Sequence, residues 1–143
     1  MEKKCVAGRI TAISRILVVC LVVIVASCEE LTDSLSPRDN IVDTWKCQET
    51  DASNGTDSFF VEIVADNSSL SGIKIENFNH LGITISASVS GSTITIPAQD
   101  ASGFSVSGSG TISSNYEKIT MKYSVDDGGI GGKENYNAVL TKP

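Results

Sequence analysis

The chain has 143 residues, 41% of them hydrophobic and 20% charged, with a net charge of −6 and an isoelectric point near 4.6. That acidic balance excludes a surface built to hold nucleic-acid phosphates or a polybasic membrane patch. A single histidine leaves no two-histidine metal site to assemble within one chain. The N-terminus opens with a basic head (Lys3, Lys4, Arg9, Arg15) and then an unbroken apolar run from Ile16 to Ala26. Eleven apolar residues are too few to span a bilayer, which needs about 20, but they suit a secretory signal.

Val25-Ala26-Ser27-Cys28 at the end of that run is similar to the lipobox of bacterial lipoproteins. The resemblance implies that residues 1–27 are a signal peptide, cut just before Cys28, and that the Cys28 thiol carries a diacylglyceryl anchor. It places the protein in the bacterial cell envelope, as an outer-membrane lipoprotein facing the surface or the periplasm. Each buried acyl methylene contributes about 0.8 kcal/mol, so two or three chains hold essentially permanently. Removing residues 1–27 takes away four Lys/Arg and one Glu, which leaves 7 basic against 16 acidic residues and a net charge of −9. The remaining 116 residues suit one domain with a leader. Cys5 and Cys20 go with the signal, so with Cys28 lipidated Cys47 has no partner; a Cys28–Cys47 disulfide is the competing reading.

Residues 28–40 are rich in Glu, Asp, Ser and Pro and read as a flexible tether. Glu29-Glu30 behind the cysteine resembles the surface-export signal of Bacteroidota lipoproteins. Asp33-Ser34-Leu35 resembles the O-glycosylation acceptor of the same group, which implies a glycan on Ser34.

From Ile41 onward the pattern is alternation. Ile41, Asp43, Trp45 and Cys47 share one parity; Phe59, Val61 and Ile63 follow after the turn-rich loop Asp51 to Asp57. Ile73 and Ile75, then Ile83 to Val89, then Ile94, Ile96 and Ala98 continue it, with Gly91-Ser92 as a turn. Phe104 to Ile112, Ile119 to Val125, and Tyr136, Ala138 and Leu140 close the series around the glycine-rich loop Asp126 to Lys133. A period of two means strands, and the opposite parity is mostly Ser, Thr and Lys. About eight strands with short connections predict an all-β, antiparallel up-and-down barrel over residues 41–143. Closure hides the apolar face and removes the edges; a β-sandwich, which leaves edges, is the alternative.

Asp43-Thr44-Trp45-Lys46 on the first strand is similar to the Gly-x-Trp signature of lipocalin-like barrels, with Asp43 at the position of the family's glycine. That resemblance implies that Trp45 plugs the closed end of the barrel. The runs 77–82, 89–97 and 108–112 look like small Bacteroidota lipoproteins assigned a lipocalin-like (calycin) domain.

The chemical inventory points to binding rather than catalysis. His80 lies among Asn77, Asn79 and Gly82 and reads as a loop residue, and Cys47 as a small core residue. Asp51-x-Ser53-x-Gly55-x-Asp57 lacks the sixth-position glycine and distal glutamate of a calcium loop and reads as a solvated turn. No cofactor and no metal is expected. Small inward residues (Ala87, Ala98, Gly108, Gly110, Ala138) predict room for a small apolar or amphipathic ligand in the open end. Barrels of eight strands can also be filled by their own side chains. A protein- or glycan-interaction module, as an accessory of a surface complex, is the alternative function; the identity of a protein partner does not follow from these residues.

Overall fold

The computed structural model describes residues 35–51, 55–129 and 131–143; Cys28 and Ser34 lie outside them. Eight strands form among the described residues. They are β1 (Asp43–Asp51), β2 (Thr56–Ala65), β3 (Gly72–Phe78), β4 (Ile83–Ser90), β5 (Thr93–Ala101), β6 (Phe104–Ile112), β7 (Lys118–Asp126) and β8 (Lys133–Thr141). Each pairs antiparallel with the next. β8 then returns to β1, from Lys46 opposite Thr141 to Asp51 opposite Tyr136. The sheet is a closed up-and-down barrel, and the sandwich alternative falls away because every strand has two neighbours.

Alternation drives the closure. In β4 the buried Ile83, Ile85, Ala87 and Val89 interleave with the exposed Thr84, Ser86, Ser88 and Ser90, so burial follows the pleat residue by residue. Ile63, Ile73, Ile94, Ile119 and Leu140 belong to this core with almost no exposure. Outward positions such as Lys46, Gln48, Thr120 and Lys122 face water. A membrane-spanning barrel carries an apolar belt there instead.

Two irregularities correct the simple alternation. β5 bulges between Ile96 and Gln99, where Pro97 has no N–H to give the ladder. Ala98 is therefore turned outward, not into the barrel as the sequence pattern predicts, and Ala101 takes the inward position. Past the bulge β5 no longer pairs with the first half of β4, and the carboxamide of Gln99 fills the gap. Its Oε1 accepts from the Ser86 N–H at 2.9 Å and its Nε2 donates to the Ser86 carbonyl at 2.6 Å. The second irregularity lies in β3, whose register shifts between Ile75 and Phe78 and so swings Phe78 inward.

The two ends of the barrel differ. At one, a short 3₁₀ turn (Asp39–Ile41) lays Ile41 over the core, and the turns 66–71, 91–92 and 113–117 close around it. Residues 35–40, tether-like in composition, belong to the same compact unit as the barrel. Ser36 and Asp39 exchange hydrogen bonds, and Arg38 Nη1 donates to the Ser69 carbonyl at 3.0 Å. The β3–β4 and β5–β6 connections (79–82 and 102–103) lie at the other end, which is the mouth.

Candidate functional site

Trp45 lies at the shut end. It is fully buried, its indole Nε1 donates to the Ile41 carbonyl at 2.9 Å, and Lys142 Nζ stands 5.7 Å from the ring centroid. The hydrogen bond satisfies the one polar atom of the ring, which is what lets so large a side chain stay dry. Cys47, two residues further along β1, is a free thiol in the core, and burial pushes its pKa up to about 12. It is an inert packing group.

The interior between these residues and the mouth is full. The void bordered by Cys47, Phe78 and Met121 holds only about 10 Å³, room for one water at most. The predicted room from small residues does not exist, for a steric reason. A Cβ on Gly108 would lie 2.5 Å from the Tyr123 Cβ and 2.6 Å from the Lys122 carbonyl oxygen, so this glycine lets β6 and β7 approach. Gly110 is similarly tight, 3.0 Å from the Met121 Cγ.

The polar residues converge at the mouth. Glu49 continues the inward parity of β1 and is a carboxylate in the core, 7% exposed. Asn79, in the β3–β4 connection, donates from Nδ2 to Glu49 Oε1 at 2.7 Å, and the Tyr123 hydroxyl of β7 donates to Glu49 Oε2. Burial pushes the Glu49 pKa up to about 7; the charges of Asp57 and Asp51 add to this, while the Asn79 hydrogen bond and His80 oppose it. Rings line the same end. Phe78 tilts against Tyr123 at 4.4 Å, and Tyr123 stacks on Tyr136 at 5.4 Å. The Tyr136 hydroxyl donates to Glu134, and burial with that carboxylate holds its pKa at about 12.

The loop that carries Asn79 is bent by left-handed backbone at Asn77 (φ 54°), Asn79 (φ 52°) and His80 (φ 55°). Side-chain residues pay roughly 1–2 kcal/mol for that conformation, Asn least, and such positions gather where function holds them. Asn77 ties the loop at its start, donating from Nδ2 to the Phe60 carbonyl at 2.7 Å and accepting from the Gly82 N–H at 3.2 Å. His80 is the loop residue the sequence predicts; it stacks on Phe59 at 5.1 Å, and its Nδ1 lies 3.0 Å from Asp57 Oδ2. Behind the loop opens a recess of about 190 Å³, walled by Leu81, Phe104, Val125 and Tyr136 and by the polar Asn79, Asp127 and Glu134. Among the described residues no group of three or more His, Cys, Asp or Glu gathers around a metal-sized space.

Sequence reasoning missed Glu49 as a site residue. The signal was present: 49 shares the parity of 45 and 47, so a carboxylate stood in the inward register. Asn79 carried no such signal, because its direction depends on the bulge and the left-handed turn.

No family model and no curated protein matches the chain. Solved structures do. A redesigned β-barrel, b11L5F_LGL, superposes with a TM-score of 0.51 at 14% identity, covering 74% of this chain and 94% of its own. The redesigned barrel mFAP1, bound to DFHBI, gives 0.52 at 13% identity over 73% and 97% of the two chains. EF1p2_mFAP2b, also bound to DFHBI, gives 0.54 at 12% identity over 73% and 94%. At these identities the likeness is one of fold.

Proposed function

We propose that this protein is a membrane-anchored bacterial lipoprotein, tethered through Cys28, whose barrel binds a small apolar or amphipathic ligand at its mouth without acting on it chemically. The observation that carries the reading is the asymmetry of the two ends. One is shut by Ile41 and Trp45, while the other holds a recess of about 190 Å³ with aromatic walls beside a hydrogen-bonded carboxylate. Apolar walls with a few convergent polar groups are the usual makeup of a small-molecule site. Two barrels of similar fold hold the small molecule DFHBI, which supports small-molecule binding by a barrel of this kind. The full interior moves the ligand from the depth of the barrel to its rim, and limits it to a compact molecule or one end of a larger one. Lipobox residues 25–28 and the acidic pair Glu29-Glu30 support an outer-membrane address, and Asp33-Ser34-Leu35 supports a glycan on Ser34.

Two measurements test this. The full chain, purified without denaturation, should release a small molecule on solvent extraction. Phe104→Glu, which replaces an aromatic wall by a further carboxylate beside Asp127 and Glu134, should lose it; an empty wild-type protein would count against the reading. Cys28→Ala should move the protein from the membrane to the soluble fraction, and membrane retention of that variant would refute the anchor.

A further inference from the structure

We infer that the mouth recess takes an organic cation, with an ammonium head among Asn79, Asp127 and Glu134 and an apolar body against Phe104 and Tyr136. The inference rests on the proposed binding function and names the class of ligand that the recess selects.

Three observations carry it. First, the side chains of the recess offer acceptors, because their donors are engaged within the protein. Asn79 Nδ2 donates to Glu49 Oε1 at 2.7 Å, and the Tyr136 hydroxyl donates to Glu134 Oε2. Asp127 Oδ1 accepts from the Gly129 N–H at 2.8 Å, and each of the two carboxylates keeps lone pairs to spare. An ammonium group, all donor and no acceptor, is the complement of that set. Second, no basic side chain answers the carboxylates. Among the described residues neither Asp127 nor Glu134 has a Lys, Arg or His at ion-pair distance. His80, on the same loop as Asn79, is turned to Asp57 at 3.0 Å. Lys133, which precedes Glu134, instead lines an outer groove with Asp100 and Asp126. The net charge of −6 favours a cation further. Third, the apolar walls are rings. Tyr136 is stacked on Tyr123 at 5.4 Å, and Phe104 stands at the same recess. Aromatic faces shed water from an apolar body and attract a cation.

Other heads fit less well. A carboxylate or phosphate ligand would be set beside like charges, which the recess has no cation to offset. A bare metal ion finds no group of three or more His, Cys, Asp or Glu among the described residues. An exposed charge pair contributes up to about fivefold in affinity, and a cation over a ring about as much, so an ammonium head should be preferred to a neutral one by roughly tenfold. The rings seat the body of the ligand, and a carboxylate put in place of Phe104 does not supply that seat.

Three probes of nearly one size and different head charge test this on the full chain at neutral pH: phenethylamine as its ammonium ion, phenethyl alcohol and phenylacetate. NMR titration of the Leu81 and Val125 methyls should show the ammonium ion binding about tenfold more tightly than the alcohol, and phenylacetate not at all. Asp127→Asn with Glu134→Gln keeps both internal hydrogen bonds, since an amide oxygen accepts as a carboxylate does. In that double variant the ammonium affinity should fall to that of the alcohol, whose own unchanged binding reports an intact recess. Equal affinity of ammonium and alcohol in wild type, or an ammonium preference that survives the double variant, would overturn the inference and leave a mouth that binds. Should the double variant fail to fold, salt decides: the wild-type preference must shrink as sodium chloride is added, and a preference blind to salt overturns the inference. Failure of all three probes to bind would overturn it too, and an empty solvent extract would then take the binding function with it.

Discussion

Gly108→Ala is the sharpest test of how the barrel is packed. The added Cβ would lie 2.5 Å from the Tyr123 Cβ, 2.6 Å from the Lys122 carbonyl oxygen and 2.8 Å from the Tyr123 Cα. Ordinary contact begins about an ångström further out, so β6 and β7 must separate by roughly that much. A flexible side chain could turn aside, but here two of the three obstacles are backbone. Residue 123 also carries the ring packed between Phe78 and Tyr136 and bonded to Glu49. Overpacking of this kind costs about 1–3 kcal/mol or more, and the upper end applies. Replacing glycine in a strand returns about 0.5–1 kcal/mol, for a net loss of roughly 2–3 kcal/mol. Gly110→Ala is the milder comparison: its Cβ would lie 3.0 Å from the Met121 Cγ, on a side chain with several rotatable bonds, and 3.2 Å from the Thr120 carbonyl oxygen, so the neighbours need give only a few tenths of an ångström. Its cost and gain should cancel to within about 1 kcal/mol. Urea unfolding followed by emission of Trp45, the single and fully buried tryptophan, measures both. A Gly108→Ala midpoint equal to that of Gly110→Ala would show that the interior has slack there, and would return the ligand to the barrel's depth.

Stability should also depend on pH through Glu49. Its folded-state pKa is raised from 4.5 to about 7, so the folded protein holds the extra proton; this contribution is complete below pH 4.5 and is lost as pH rises through 7. Glu49→Gln should match wild type near pH 4.5 and exceed it at pH 8 by up to about 3 kcal/mol; a difference independent of pH in denaturant titrations would refute the assignment. Gln99→Ala removes the carboxamide that bridges β4 and β5, so the Ser86 amide should exchange at least tenfold faster at a global cost of about 1 kcal/mol. Unchanged Ser86 protection would mean that water serves as well as the side chain.

The barrel is legible in the sequence because its information is local. Each strand states its inward face by parity, and the Gly91-Ser92 turn sets two strands back to back, so eight half-buried ribbons leave few ways to hide one apolar face. Ala98 shows where this reading stops. Parity holds only while the pleat is unbroken, and the bulge at Pro97 shifts every later residue of β5 by one face. Gly108 shows a second limit, since a missing side chain reads equally as space for a ligand or as space for a neighbouring strand. Only the distance to Tyr123 decides between them.

Glu49 belongs to a third kind of case. Its parity placed a carboxylate among Trp45, Cys47 and Leu140, and an unaided carboxylate there would be costly enough to suggest either a frayed strand end or a partner. The partners come from positions 30 and 74 residues away, Asn79 and Tyr123, and the first of them reaches Glu49 through a left-handed turn that no periodicity announces. A packed core can accept a polar group at such a place only where bonds from other elements meet it, and here those elements include a strained loop at the mouth. The barrel thus departs from its own alternation rule at the end that opens, and keeps to it at the end that Trp45 and Ile41 shut. A polar group kept inside at the cost of its ionisation, and under a loop held in an unfavourable conformation, is better explained by use at the mouth than by stability. An apolar residue at position 49 would pack the same register without either cost.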